Sequence, residues 1–181
     1  MIMKIINEAA IKYLVPKVAV KNIYEIDYEQ LKKEGICNLM FDVDNTIIER
    51  HSQQPEWKLK KFFRELKENK FNVLLISNNS RIKRMIKIAS FLEVSINYFS
   101  FKPLPWIYRK MREDFNCHPS NTVYIGDQLF TDIFGAKLSG YPAIYTFPLR
   151  PESSLMRRTM IKVEKLIITG YLLKLGGACA T

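Results

Sequence analysis

Two carboxylates lie one residue apart in the stretch FDVDNT, at residues 41–46. Asp42 follows the apolar run at 39–41 directly, and Asp44 comes two residues later, at the end of a predicted buried strand. A buried carboxylate is costly unless a metal ion, a cation or hydrogen bonds compensate its charge. Asp42 and Asp44 therefore predict a site that contains such a compensating group.

The elements that position these acids follow a β-α-β-α order. Short apolar runs alternate with longer stretches of helical periodicity, and the run at 73–76 is apolar at consecutive positions, as expected for a strand covered on both faces. This order predicts a single Rossmann-like, three-layer α/β/α domain with a parallel sheet of about five strands. The five strand segments are CNLMFDV, FNVLLIS, SINYFSF, NTVYIGD and YPAIYTF.

Polar residues follow four of these strands. In a parallel sheet the residues after each strand lie along the carboxyl edge, where ligands bind. We therefore expect four strand ends to converge on one polar site. Its members in chain order are Asp42, Asp44, Asn45 and Thr46, then Ser77, Asn78 and Asn79, then Lys102, and finally Gly126 and Asp127.

The chemistry of this set favours a metal and a phosphate. Asp42, Asp44 and Asp127 would repel one another unless a hard cation binds, and Mg²⁺ prefers oxygen ligands while keeping several waters. Lys102 supplies a compact positive charge, and Ser77 and the loop amides supply donors for an anion. Mg²⁺ is therefore the cofactor that we expect.

A phosphoryl group held in this way could react with the aspartates directly. One aspartate can attack phosphorus while its neighbour protonates the leaving alkoxide and later deprotonates water. The spacing of Asp42 and Asp44 does not decide which of them attacks. An EF-hand loop also begins with D-x-D, but its glycine and glutamate positions hold Ile47 and Gln53 here.

Four segments resemble the ordered motifs of the haloacid-dehalogenase superfamily of aspartyl-phosphate phosphatases: DVDNT, LLISNN, FKP and IGDQLFTD. This resemblance covers most of the chain and implies that Asp42 is the nucleophile and Asp44 the general acid/base. Members that dehalogenate lack the second aspartate, so Asp44 favours phosphate chemistry. Lys102 would steady the nucleophile and the phosphoryl group.

The same resemblance implies the remaining roles in the site. Ser77 and Asn78 would contact the phosphate, and we expect Thr46 to bind it with them. Asp132 would be a supporting acid on the following helix. The implied Mg²⁺ ligands are the carboxylates of Asp42 and Asp127 and the backbone carbonyl of Asp44.

The lengths of the segments after the first and second motifs indicate the size of the substrate. Superfamily members usually select substrates with a cap domain, but segments 47–70 and 80–101 leave no room for one. We therefore expect no large cap and an open site, which suits a phosphate displayed on something large. A lipid head group, a nucleic-acid end and a phosphoprotein all fit that description.

Longer patterns resemble the YqeG-type subfamily, capless phosphatases related to the phosphatidylglycerophosphate phosphatases. They are LVPKVAVKNIYEIDYEQLKKEGICNLMFDVDNT and IGDQLFTDIFGAKLSGYPAIYTFPL. The resemblance implies hydrolysis of phosphatidylglycerophosphate to phosphatidylglycerol. Two alternatives remain: a phosphatase of nucleic-acid ends or soluble phosphomonoesters, and a non-catalytic basic module that binds RNA or membrane.

The basic residues indicate which kinds of partner the protein could bind. The net charge of +10 predicts attraction to phosphates, nucleic acid or anionic lipid. Segment 151–175 has the pattern of a basic amphipathic helix, which would either contact an anionic membrane or pack on the sheet. A second group of basic residues lies just after Ser77 in the sequence. It forms either a solvated helix face or a positive surface that attracts anions to the site. It consists of Arg81, Lys83, Arg84 and Lys87.

We expect the chain to divide into an N-terminal amphipathic segment at 1–34, which packs on the domain or leads into it, a phosphatase core at 35–150, the basic helix at 151–175 and a tail at 176–181. Its three cysteines are widely spaced and form no CxxC pair, which favours a reducing compartment. No window reaches the roughly 20 apolar residues of a membrane-spanning helix. We therefore expect a cytoplasmic protein, which is either free in the cytoplasm or bound peripherally to the inner face of a membrane.

Overall fold

The structure is a computed structural model, and it describes residues 12–150 together with Thr159 and Lys162. The predicted tail at 176–181 lies outside these residues. So does the predicted basic helix at 151–175, apart from Thr159 and Lys162, and so does the beginning of the N-terminal segment, at 1–11.

Within residues 12–150, six strands form one parallel sheet. They are β1 (Val18–Val20), β2 (Asn38–Asp42), β3 (Asn72–Ile76), β4 (Ser95–Asn97), β5 (Thr122–Gly126) and β6 (Ala143–Thr146). Their order across the sheet is β1-β6-β5-β2-β3-β4, and every pair is parallel. The predicted parallel α/β fold is confirmed, with six strands instead of about five because β1 pairs with β6 at one edge.

Helices connect successive strands. They are a 3₁₀ turn (Ile23–Glu25), α1 (Tyr28–Lys33), α2 (Trp57–Glu68), α3 (Ile82–Leu92), α4 (Pro105–Phe115) and α5 (Phe134–Leu138), the last preceded by a π-helical turn (Leu129–Ile133). Pro105 begins α4, where its missing N–H costs no helical hydrogen bond. α3 and α4 both end at a residue with left-handed backbone, Glu93 and Asn116 respectively.

The core lies on both faces of the sheet. Side chains alternate along β2, so Phe41 packs with residues of α2 and α3, whereas Met40 packs with residues of α4. Phe63 of α2 and Tyr108 of α4 are fully buried on these opposite faces. Because helices cover both faces, the central strands tolerate consecutive apolar residues.

The connections at the carboxyl edge of the sheet are short. Residues 43–56 join β2 to α2, and residues 77–81 join β3 to α3. Within residues 12–150 neither connection contains a separate domain, which confirms a single domain without a large cap. Among the helices of residues 12–150, none has the length and hydrophobicity of a transmembrane segment.

Candidate active site

Lys102 lies at the centre of the polar site. Its Nζ donates to Oδ1 of Asp42 at 2.5 Å and to Oδ1 of Asp132 at 2.7 Å. It also contacts the hydroxyl of Tyr124 at 2.8 Å and the carbonyl of Ile76 at 3.3 Å. All five residues are buried. One ammonium group therefore joins Asp42, at the end of β2, to Asp132, in the π-helical turn after β5.

Burial and neighbouring charges set the protonation of this pair. Burial raises the pKa of Asp42 to about 7; Lys102 opposes that shift, and Asp132 adds to it. Burial alone would lower the pKa of Lys102, but the charges of Asp132 and Asp42 raise it above its ordinary value. Lys102 therefore acts at neutral pH as a fixed positive charge and not as a proton donor.

Three carboxylates form an acidic cluster around this lysine. Oxygens of Asp42, Asp127 and Asp132 lie within 4.8 Å of one another. The Oγ1 of Thr46 lies 3.2 Å from Oδ2 of Asp42 and 3.3 Å from Oδ1 of Asp127. Among the described residues, three buried acids face one ammonium group, so the cluster holds more acids than this cation can compensate. A set of hard carboxylate oxygen donors fits Mg²⁺.

The side chain of Asp44 is held by two donors. Arg84 Nη1 donates to its Oδ1 at 2.7 Å, and Asn79 Nδ2 donates to its Oδ2 at 2.6 Å. Arg84 also donates to the backbone carbonyls of Ser52 at 2.8 Å and Glu49 at 3.1 Å. The orientation of the Asp44 carboxylate is therefore fixed, whereas its role in proton transfer stays a prediction.

Arg84 was not identified from the sequence as a site residue. The solvated-face interpretation is wrong for Arg84, which is 5% exposed, but Arg81, Lys83 and Lys87 are indeed exposed. The missed signal is the helical spacing, because Arg84 lies four residues before the buried Ile88 and so shares its inward face. An arginine on that face needs a buried acid as its partner.

Ser77 and Asn78 follow β3 and lie beside Lys102. The side-chain amide of Asn78 donates to the Lys102 carbonyl at 3.0 Å and accepts from the Lys102 N–H at 2.7 Å. Ser77 is 1% exposed, and its Oγ accepts from the Asn79 N–H at 3.1 Å. Asn78 therefore positions the lysine. The phosphate contacts of Ser77, Asn78 and Thr46 stay predictions.

Gly126, the last residue of β5, lets Asp132 approach the sheet closely. A Cβ at this position would lie 2.6 Å from both Cβ and Oδ2 of Asp132. The same Oδ2 accepts from the Gln128 N–H at 3.1 Å at the start of the π-helical turn. A side chain at position 126 would therefore displace the acid that contacts Lys102. Neither this steric requirement nor the contact of the Tyr124 hydroxyl was predicted from the sequence.

The chain is similar in sequence to known hydrolases and phosphatases. The profile of the haloacid dehalogenase-like hydrolases matches residues 10–140. Probable phosphatase YqeG of Bacillus subtilis (strain 168) is 30% identical over 159 residues, which cover 87% of this chain and 91% of that protein. Phosphatidylglycerophosphate phosphatase 1, chloroplastic/mitochondrial, of Arabidopsis thaliana is 23% identical over 172 residues, which cover 90% of this chain and 49% of that protein.

The fold is similar to that of solved structures. The cobalt-bound deoxy-D-mannose-octulosonate 8-phosphate phosphatase (YrbI) from Haemophilus influenzae aligns with a TM-score of 0.51 at 14% sequence identity. The alignment covers 76% of this chain and 90% of that structure. At this level of identity the likeness is evidence for a common fold alone.

Proposed function

The chain belongs to the haloacid dehalogenase-like hydrolases and is a phosphatase, and from this premise we propose that it is Mg²⁺-dependent and converts phosphatidylglycerophosphate to phosphatidylglycerol. The observation that carries the chemistry is the Lys102 ammonium group, which bridges Asp42 and Asp132. It supports a site in which a nucleophilic carboxylate and a phosphoryl group share one fixed positive charge.

The binding step would use charges on both sides of the phosphoryl group. Mg²⁺ would be held by the carboxylates of Asp42 and Asp127 and the backbone carbonyl of Asp44, and when bound it would offset the charge of the phosphoryl oxygens. Lys102 would bind a phosphoryl oxygen while keeping the Asp42 carboxylate in place. Ser77 would donate its hydroxyl to another oxygen.

The hydrolysis would proceed in two displacements at phosphorus. In the first, an oxygen of Asp42 forms a bond to phosphorus, the ester P–O bond breaks, and Asp44 gives a proton to the departing alkoxide. In the second, water attacks the phosphorus of the acyl phosphate while Asp44 takes its proton, and the bond from phosphorus to Asp42 breaks. Phosphate leaves and both aspartates regain their starting states.

Two observations support the lipid as substrate. The Arabidopsis thaliana relative that this chain matches is named a phosphatidylglycerophosphate phosphatase. The connections after β2 and β3 hold no cap within residues 12–150, so the described site lacks the enclosure that small metabolites usually require. A phosphate displayed on a bilayer needs no such enclosure. We therefore propose a cytoplasmic protein that reaches the inner face of a membrane as a peripheral partner.

The test is phosphate release from phosphatidylglycerophosphate in mixed micelles, with and without Mg²⁺. Soluble phosphomonoesters and 3′-phosphorylated DNA serve as competing substrate classes. Asp42→Asn should abolish turnover, and Asp114→Asn is the matched control because Asp114 is exposed on α4. Turnover of only the soluble esters or the DNA would refute the lipid assignment and leave the phosphatase chemistry in place.

A further inference from the structure

A cluster of exposed apolar side chains lies beside the proposed active site. We call it the aromatic loop and define it as the exposed apolar residues of segment 98–106. They are Tyr98, Phe99, Phe101, Leu104 and Trp106, each between 36% and 52% exposed. A concentration of large apolar groups at one place on a surface usually marks an interaction site.

We propose that the aromatic loop docks onto an anionic phospholipid bilayer and so presents the phosphate of a membrane lipid to Lys102. This proposal rests on the proposed function, because it names the surface through which the same site reaches its substrate. It adds a contact that is independent of segment 151–175.

The loop is fixed in a conformation that directs its rings outward. Phe99 and Phe101 have left-handed backbone, with φ of 55° and 54°, a region that bulky residues rarely adopt. Between them Ser100 is fully buried, and its hydroxyl contacts the Asn97 carbonyl at 3.0 Å while its N–H bonds to the Ser77 carbonyl at 3.0 Å. The exposed rings therefore stand on an anchored backbone.

The loop is continuous with the catalytic lysine. Phe101 is 48% exposed, whereas the next residue, Lys102, is 5% exposed and points into the acidic cluster. Consecutive Cα atoms are about 3.8 Å apart. A bilayer in contact with Phe101 would therefore lie close to the residue that is proposed to bind the phosphoryl group.

Positive charge beside the loop complements an anionic surface. Asn78 bonds to the backbone of Lys102, and Arg81 and Lys83 follow it after a few residues; both cations are exposed. Among residues 12–150, none of the ion pairs involves either cation. Ile82 between them is 45% exposed. Exposed apolar groups interleaved with cations suit the head-group region of anionic membranes.

The side-chain types favour a lipid interface over a protein partner. Trp106 and Tyr98 each combine a large apolar ring with a polar group, and such side chains concentrate where hydrocarbon meets water. The neighbouring Arg81 and Lys83 would remain in the head-group layer. A protein partner or a second copy of this chain would bury the same rings without a requirement for anionic lipid.

Tryptophan fluorescence tests the proposal directly, because the chain contains two tryptophans, Trp57 and Trp106. Trp57 is 74% exposed and contacts Phe91, outside the aromatic loop. Full-length Trp57→Phe leaves Trp106 as the sole reporter, and Trp106→Phe leaves Trp57 as the matched control. The probe is vesicles of phosphatidylglycerol and phosphatidylcholine with brominated acyl chains, which contain no phosphomonoester.

We expect these vesicles to shift the Trp106 emission to shorter wavelength and to quench it, with little change at Trp57. Vesicles of phosphatidylcholine alone should have a weaker effect. Trp106→Ser should weaken vesicle binding about tenfold, as expected for loss of one large apolar group from an interface, and Trp57→Ser should not.

Two results would overturn the proposal. One is vesicle binding in co-sedimentation without shielding of Trp106. The other is Trp106 emission that is already at short wavelength without vesicles and does not change on their addition, as expected if protein covers the loop. Because the readout needs no turnover, shielding of Trp106 without hydrolysis of phosphatidylglycerophosphate would support docking and refute the lipid substrate. Hydrolysis of phosphatidylglycerophosphate without shielding of Trp106 would support the lipid substrate and refute docking through the aromatic loop.

Discussion

Arg84 Nη1 lies 2.7 Å from Oδ1 of Asp44, although the two residues are 40 positions apart in the chain. Both side chains are almost fully buried. The contact joins the loop after β2 to the first turn of α3 and fixes the carboxylate that is proposed to transfer protons. The precision of the site therefore depends on how α3 packs against the sheet.

Replacing Arg84 should slow catalysis by misplacing Asp44. In Arg84→Leu the carboxylate loses its guanidinium partner, and the carbonyls of Glu49 and Ser52 lose their donors. We expect kcat for phosphatidylglycerophosphate in mixed micelles to fall about 100-fold, within the usual contribution of general acid/base catalysis, with a smaller change in KM.

Arg84→Lys should recover part of this loss because it keeps the charge but not the full set of hydrogen bonds. Lys87→Leu is the matched control, since Lys87 is exposed on the same helix. Circular dichroism at the assay temperature separates the loss of rate from unfolding. An Arg84→Leu protein that is folded and retains the wild-type kcat would show that Asp44 needs no such positioning.

Lys102→Met should destabilise the fold as well as abolish activity. The substitution leaves Asp42 and Asp132 buried without the ammonium group between them. Removal of one partner of a buried ion pair typically costs about 3–5 kcal/mol in the free energy of unfolding, which urea denaturation would measure.

A second substitution separates stability from catalysis. Adding Asp132→Asn to Lys102→Met removes one of the two buried acids that Lys102 contacts, so the double variant should recover part of the free energy of unfolding while phosphatase activity stays absent. If the double variant is no more stable than Lys102→Met, repulsion between the two acids is not the cause of the destabilisation.

Mg²⁺ should stabilise the protein through the acidic cluster. Binding to the folded state alone would raise the free energy of unfolding by about 2.7 kcal/mol at 100 times the dissociation constant. Thermal unfolding with and without Mg²⁺ would measure this shift in Tm. Asp127→Asn should abolish the shift, and the exposed Asp114→Asn should retain it. Equal shifts in both variants would place the metal elsewhere.

The two described cysteines should differ in their reaction with thiol reagents. Burial raises the pKa of Cys117 to about 11, whereas Cys37 is exposed. Because the thiolate is the reactive form, Cys37 should react rapidly at pH 8 and Cys117 only after unfolding. Peptide mass spectrometry after labelling would locate each adduct, and rapid labelling of Cys117 in the folded protein would contradict its burial.

The raised pKa of Cys117 also makes the stability of the fold depend on pH. The unfolded Cys117 thiol loses its proton near pH 9, its ordinary range, while the folded thiol keeps it to about 11. Its contribution to stability is therefore fully present below about pH 9 and is lost as the pH rises toward 11. Cys117→Ser should flatten this part of the unfolding profile, and an unchanged profile would assign the alkaline loss to other groups.

The sequence by itself determined the class of fold and the edge at which the site lies. Consecutive apolar residues in strands that alternate with helices require a parallel sheet. Parallel strands bring their carboxyl ends together, so Asp42, Ser77, Lys102 and Asp127 were predictable as neighbours from their places after the strands. Local pattern was sufficient here because strand direction alone decides which ends meet.

Only the tertiary structure decided which side chains touch within that site. The contact of Arg84 with Asp44, the reach of Lys102 to Tyr124, and the gap that Gly126 leaves for Asp132 each join residues from different elements. Such contacts depend on how a helix is rotated and how far it lies from the sheet, and these are set by the packing of the whole core. The outward position of the aromatic loop has the same origin, because its backbone is anchored by bonds to the residues that follow β3.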